Sequence, residues 1–327
     1  MKLRSVIFIL TVALVLAAVA GVCFGGVNLT FSQLTDALLG RADASIGVIF
    51  WQLRLPRVIA GLLAGIGLSV AGVLLQSVTA NALASPGIVG INAGAGLAVI
   101  LLLTVVPAAG KLLPFGAFLG AFGAALLILL AANRLGGSKI GIVLIGIAVS
   151  AVFSAAISFL SLLDEGVLAQ YNHFTVGSLK GVRMDALILP AILIGLSLAA
   201  ALVLAPKLGV LCMGDAAASA MGIRVKRLRM TALVCAAASA AAVVSFAGLL
   251  GFVGLVVPHI AKKLAGEQPA GSLPVAVLSG GVLVIVADLL GRTLFAPSEL
   301  PVGILMSLVG GPYFLILLCR RNRHAHF

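Results

Sequence analysis

The chain has little charge. Asp, Glu, Lys and Arg make up 9% of its 327 residues, where a soluble globular domain carries about 25%. That deficit excludes water as the main solvent. The motifs of common nucleotide and metal chemistry are missing too. No Gly-x-x-x-x-Gly-Lys-Ser/Thr stretch occurs, which excludes ATP binding through a P-loop. No His-Glu-x-x-His occurs, and the four histidines are dispersed. Cysteine is scarce: Cys23, Cys212, Cys235 and Cys319 lie far apart with no Cys-x-x-Cys pair. They read as small apolar residues, and neither a disulfide framework nor a zinc site is implied.

What is present is apolar. Hydrophobic residues fill 62% of the positions, and mean hydropathy is +1.28. A bilayer core takes about 20 apolar residues per helical span, and backbone groups in lipid must be satisfied internally. The apolar residues form continuous blocks rather than alternating short segments, which favours helices over a barrel. The blocks run near 5–24, 58–77, 88–106, 113–132, 140–163, 187–205, 231–248, 250–264, 273–295 and 302–319. They predict an all-α, polytopic protein with about ten transmembrane helices in one domain, 1–327. The eighth block is short and holds Pro258, so a kinked or partial span is expected there. Met1-Lys-Leu-Arg4 and the following apolar run imitate a signal peptide. The many later spans favour an uncleaved first span.

Lys and Arg set the orientation. With the N-terminus inside and ten spans, fourteen of the 21 basic residues fall inside and seven outside. Both termini are therefore expected in the cytoplasm. The net charge of +12 then reflects topology, and nucleic acid has no place in the account.

Polarity persists at a few places. Residues 206–230 form the longest inside segment, with Pro206 expected to end span six. Within it Gly214-Asp215 can open a short helix, Asp215 favouring the positive helix end. Gly222 can close it in the left-handed conformation. Ala218 and its small neighbours, with Met221, fit either a surface helix or one that inserts into a groove on a cytoplasmic partner. Arg54 and Arg57 stand in an outside loop, where basic residues are unusual. They suit interfacial anchoring beside Trp51 or docking of an acidic partner. Asp288 and Arg292, spaced i, i+4, share one helix face and suit a structural ion pair. Ser85 and Pro86 suit the start of span three. His259 sits in a span beside Pro258, where a hydrogen bond at a structural kink is expected. A lone histidine makes no metal site, and no Ser/His/Asp set lies at one depth, so no catalytic residues are expected.

Several segments in order carry a family likeness. They are Arg54-Leu-Pro-Arg57, Gly72-Val-Leu-Leu-Gln76 with Asn81-Ala-Leu-Ala84, Gly214-Asp215 through Gly222, Gly251 through Pro258-His259 to Ala261, Ala287-Asp288 through Arg292, Glu299-Leu-Pro-Val-Gly303 and Gly311-Pro312-Tyr-Phe314. From about residue 50 to 319 the chain resembles the permease subunit of binding-protein-dependent ABC importers for ferric siderophores, haem and cobalamin, a type II importer fold. The resemblance implies a homodimer of this chain in the bacterial inner membrane, two ABC ATPase subunits inside and one substrate-binding protein outside. It implies that Arg54, Arg57 and Arg292 meet the binding protein. It implies that the helix with Gly214, Asp215, Ala218, Met221 and Gly222 contacts the ATPase. It also implies that Phe174, Gly177 and Ser178 belong to a gating segment. No cofactor is expected in this chain, since ATP and Mg belong to the ATPase partner.

The chain departs from the family pattern at Asn81-Ala82-Leu83, where Asn-Pro-Leu is usual, and at Glu267-Gln268-Pro269-Ala270, where a basic turn is usual. The expected cargo is a ferric siderophore or related metal chelate, with a corrinoid or haem as alternatives. An ion-coupled secondary transporter is the alternative of another class. It requires an intramembrane carboxylate or histidine relay, for which Asp288 alone gives little support.

Overall fold

A computed structural model describes residues 3–323 other than 28, 88–89, 107–109, 135–138 and 297. The tail histidines His324 and His326 lie outside these residues. The described residues form fourteen α-helices: α1 Leu3–Cys23, α2 Phe31–Leu38, α3 Ala44–Val48, α4 Leu55–Thr79, α5 Ile91–Val105, α6 Leu113–Arg134, α7 Lys139–Ser161, α8 Glu165–Val176, α9 Met184–Cys212, α10 Asp215–Ala220, α11 Val225–Ala247, α12 Val253–Ala265, α13 Pro269–Thr293 and α14 Val302–Arg323. No strand occurs among the described residues. A π-helical segment, Ile49–Arg54, joins α3 to α4 without a break.

Among the described residues, seven helical stretches are long and apolar enough to cross a membrane. Adding α5, α12 and Val302–Ile316 gives one helix for each of the ten apolar blocks. Large apolar side chains are exposed along α7, such as Leu144, Val152 and Phe159, as a surface facing lipid or other apolar helices requires.

The centre of the bundle is α4. It packs against α13, α11, α9 and α12, and almost every residue from Ala64 to Thr79 is buried. Apolar helices gain little by hiding from lipid, so they must instead fit closely. Glycines permit this. A Cβ on Gly65 would fall on the Gly280 carbonyl of α13, and one on Gly94 of α5 would fall on the Gly120 carbonyl of α6. A Cβ on Gly72 would fall on the carbonyl of Gly254 in α12. Gly254 stands four residues before Pro258, which has no N–H to return to that carbonyl.

Two expectations need correction. The helix α9 passes through both Pro190 and Pro206 to Cys212, so Pro206 does not end span six. Helix extends into the 206–230 segment from both sides, up to Cys212 in α9 and from Val225 in α11. Span three starts at Ile91, capped by Gly90 at φ +79°. Ser85 does not cap it, and Pro86 packs beside Gly254. The helix α12 is 13 residues long with Pro258 inside it, too short to span a full bilayer core, and so is the partial span expected there.

Candidate functional site

One end of the bundle gathers charge. The π-helical segment and the Pro56 that follows it direct Arg54 and Arg57 toward the end of α13. Arg54 is buried, and its guanidinium donates to the carbonyls of Val22, Phe24 and Val27 just past the end of α1. Arg292 is equally buried and donates to the Gly21 carbonyl. Both arginines satisfy carbonyls that the end of α1 leaves free. Asp288 takes Arg57 as its closest partner, with Arg57 Nε 3.0 Å from both carboxylate oxygens. Arg292 Nε stands farther off, at 3.6 Å. The i, i+4 pair expected on α13 is thus secondary to a bond between α4 and α13. A carboxylate spent on two arginines in this way offers no free relay for ion coupling.

Arg57 has a second partner. Its Nη1 donates to Glu299 Oε2 at 2.9 Å. Glu299 is the more open of the two carboxylates, with its side chain 30% exposed against 5% for Asp288. Burial pushes the Glu299 carboxyl up, but the hydrogen bond and charge of Arg57, with Lys180 and Arg292, hold it below its ordinary value. A cavity of about 360 Å³ opens here, lined by Arg54, Arg57, Lys180, Arg292 and Glu299 among others. The three predicted docking arginines therefore come together. Arg54 and Arg292 are interior supports, however, and Arg57 alone of the three has a partner near the surface. Lys180, exposed on the same cavity, and Glu299 are polar groups that the sequence did not mark as a site. The one available signal was two opposite charges in short loops flanking apolar blocks.

The segment with Phe174, Gly177 and Ser178, expected to act as a gate, lies beside this cavity. The helix α8 is capped by Asp164, whose carboxylate accepts from the Gly166 and Val167 amides. It ends at Gly177, at φ +71°. The Phe174 carbonyl accepts from the Leu249 amide, and the Ser178 amide donates to the Ala247 carbonyl. The Gly177 carbonyl accepts from the Gly303 amide at 3.1 Å. A Cβ on Gly303 would fall on the Val176 carbonyl. These bonds explain the spacing of Glu299-Leu-Pro-Val-Gly303: one end holds Arg57 and the other holds the end of α8.

The opposite end of the bundle carries α10. The helix α4 is about 37 Å long at 1.5 Å per residue. Cys212, just before α10, lies against the Ser77 carbonyl near the far end of α4. Gly214 has φ +122° and Gly222 φ +76°, so glycine bounds α10 on both sides. Asp215 does not stand alone at the helix start: Arg229 of α11 donates to both its carboxylate oxygens, at 2.6 and 2.8 Å. Ala218 is fully buried, because α10 is seated on α9 and α11. It serves as an anchor rather than a contact surface, which corrects its place among the expected contacts. Met213 and Met221 present the exposed apolar side chains, at 78% and 67%.

Two further motifs acquire reasons. Gln76 is buried, accepts from Lys262 Nζ at 3.1 Å and donates to the Leu255 carbonyl. His259 does not make the expected hydrogen bond through Nε2, which is buried without a partner among the described residues. Its ring meets Tyr313 edge to face. Pro258 lies within α12 and leaves the Gly254 carbonyl, against which Gly72 of α4 packs, without its helical N–H donor.

The profile of the FecCD transport family matches residues 10–320. The chain belongs to that family. Among FecCD relatives, it is 37% identical to the Fe(3+)-citrate import system permease protein YfmE of Bacillus subtilis, over 95% of this chain and 94% of the relative. It is 37% identical to the iron(3+)-hydroxamate import system permease protein FhuG of the same species, over 91% of each chain. It is 34% identical to the hemin transport system permease protein HmuU of Yersinia pestis, over 98% and 96%. A solved metal-chelate type ABC transporter in an inward-facing conformation superposes with a TM-score of 0.87 at 28% identity, covering 97% of this chain and 99% of that one. FecCD is a transport family.

Proposed function

We propose that this chain is the membrane permease of an ATP-driven importer that receives an iron chelate from an extracytoplasmic binding protein. The carrying observation is the superposition on a metal-chelate transporter over nearly the whole chain, joined to relatives that import ferric citrate, ferric hydroxamate and hemin. A ferric siderophore is the first choice of cargo, ahead of a corrinoid or haem. Two copies of the chain pair around the pathway in the bacterial inner membrane, with both termini cytoplasmic. Two ATPase subunits bind ATP and Mg and seat against α10. The binding protein docks at the Arg57 end. Hydrolysis drives alternating access, and the permease forms no covalent intermediate.

The excess of small and aliphatic side chains suits walls that let a bulky chelate pass without holding it. Tight chelate binding by the purified permease alone would contradict this. Cellular uptake of a radiolabelled ferric siderophore and of labelled cobalamin, with and without the gene, tests the cargo. Loss of siderophore uptake alone is expected. Loss of cobalamin uptake alone would reassign the cargo to the corrinoids.

A further inference from the structure

Arg57 has little free surface of its own. Its Nε side is closed by buried Asp288, and its Nη1 side is covered by Glu299. An outside carboxylate that binds Arg57 through Nη1 must displace Glu299. Exposed Lys180 lines the same cavity. Arg54, Arg57, Lys180 and Arg292 face two carboxylates there, so the cavity stays cationic even with Glu299 in place. Such a site attracts an acidic side chain.

We infer that the cavity between Arg57 and Lys180 is a carboxylate-exchange site, held in the free permease by Glu299 and taken over by an acidic side chain of the docking partner. The inference rests on the proposal that a binding protein docks at this end. It deepens that proposal in two ways. Lys180, rather than Arg54 or Arg292, becomes the second contact cation. Docking also acquires a route to the gate. Glu299 lies four residues before Gly303, whose amide holds the Gly177 carbonyl. Between them the Leu300 amide is bonded to the Gly291 carbonyl of α13 at 2.9 Å. Release of Glu299 frees the outer end of a short segment whose inner end is bonded to the terminus of α8. Lys180 itself follows Ser178 by two residues, so a partner bound there also pulls on the gating segment.

The test uses the full transporter in nanodiscs and its purified cognate binding protein, with affinity measured for wild type, Glu299→Gln and Lys180→Glu. Arg57 is left intact, because its loss would strand buried Asp288. Removing the internal competitor in Glu299→Gln is expected to tighten binding roughly threefold, the scale of a partly exposed ion pair. Lys180→Glu is expected to weaken it by about tenfold. Hydrogen exchange at the Gly303 and Ser178 amides should quicken on docking in wild type, and without any partner in Glu299→Gln. If Lys180→Glu weakens binding while Glu299→Gln leaves affinity and exchange unchanged, the exchange site is overturned and docking at this end stands. If Lys180→Glu has no effect, the site assignment is overturned. If wild-type affinity is then also insensitive to salt, docking at this charged end fails with it.

Discussion

At the scale of single residues, Asp288 carries the most weight. It is 4% exposed and is the shared partner of Arg57 and Arg292. Removing one member of a buried charge pair leaves the other uncompensated, at a cost of about 3–5 kcal/mol. Asp288→Ala should therefore lower the melting temperature and the yield of monodisperse protein in detergent, well beyond the effect of Asp185→Ala on the exposed Arg183–Asp185 pair. Gly65→Ala places a methyl group on the Gly280 carbonyl. Overpacking of this kind costs about 1–3 kcal/mol, readable as a melting shift in the same assay.

Glu299 adds a pH dependence. Its folded pKa lies below the ordinary value of 4.5, so its pairing contributes at neutral pH and fades as pH falls through the folded value. The groups that face it are Arg57, Lys180, Arg292 and Arg54. Wild type should lose more thermal stability than Glu299→Gln between pH 7 and pH 4. Parallel loss in the two would place the acid sensitivity elsewhere.

At the scale of elements, α10 is a small helix tied down from one side. Glycine bounds it at both ends, Ala218 seats it, and the Asp215–Arg229 pair fixes it to α11. Asp215 is about half exposed and Arg229 largely buried, so the pair contributes under about 1 kcal/mol to stability. Its larger effect is on orientation. Arg229→Met should leave the melting temperature within a degree or two, yet reduce binding-protein-stimulated ATP hydrolysis severalfold in the reconstituted transporter. Unchanged stimulation would remove the pair from coupling. The helix pattern itself was legible beforehand, since Gly214 and Gly222 marked both boundaries. The burial of Ala218 was not, because a run of small residues looks alike from either side. Pro206 misled for a related reason. Proline ends a helix in water, but packed neighbours in a bundle let it continue.

At the scale of the whole molecule, the charged ends lie at opposite extremes of α4 and α9. Arg57 opens α4 and Ser77 closes it beside Cys212, while α9 runs from Met184 to Cys212 just before α10. The two helices join the end proposed for docking to the end proposed for coupling. Binding-protein affinity should fall as salt rises, since the attraction at the cavity is electrostatic and partly screened. The melting temperature should change little over the same range.

Composition and block length alone pointed to a helical membrane protein with ten apolar blocks, because so apolar a chain needs a non-aqueous solvent and must satisfy its backbone internally. Glycine positions and ordered motifs brought the family within view. Tertiary structure alone decided which arginine is near the surface and which are buried. It also decided that Asp288 prefers Arg57 to Arg292 and that Glu299 covers Arg57. These choices depend on where helices distant in sequence, α1, α4 and α13, come to lie against one another. A charge in a sequence carries its sign but not its neighbours, and the neighbours determine whether it supports the fold or meets a partner.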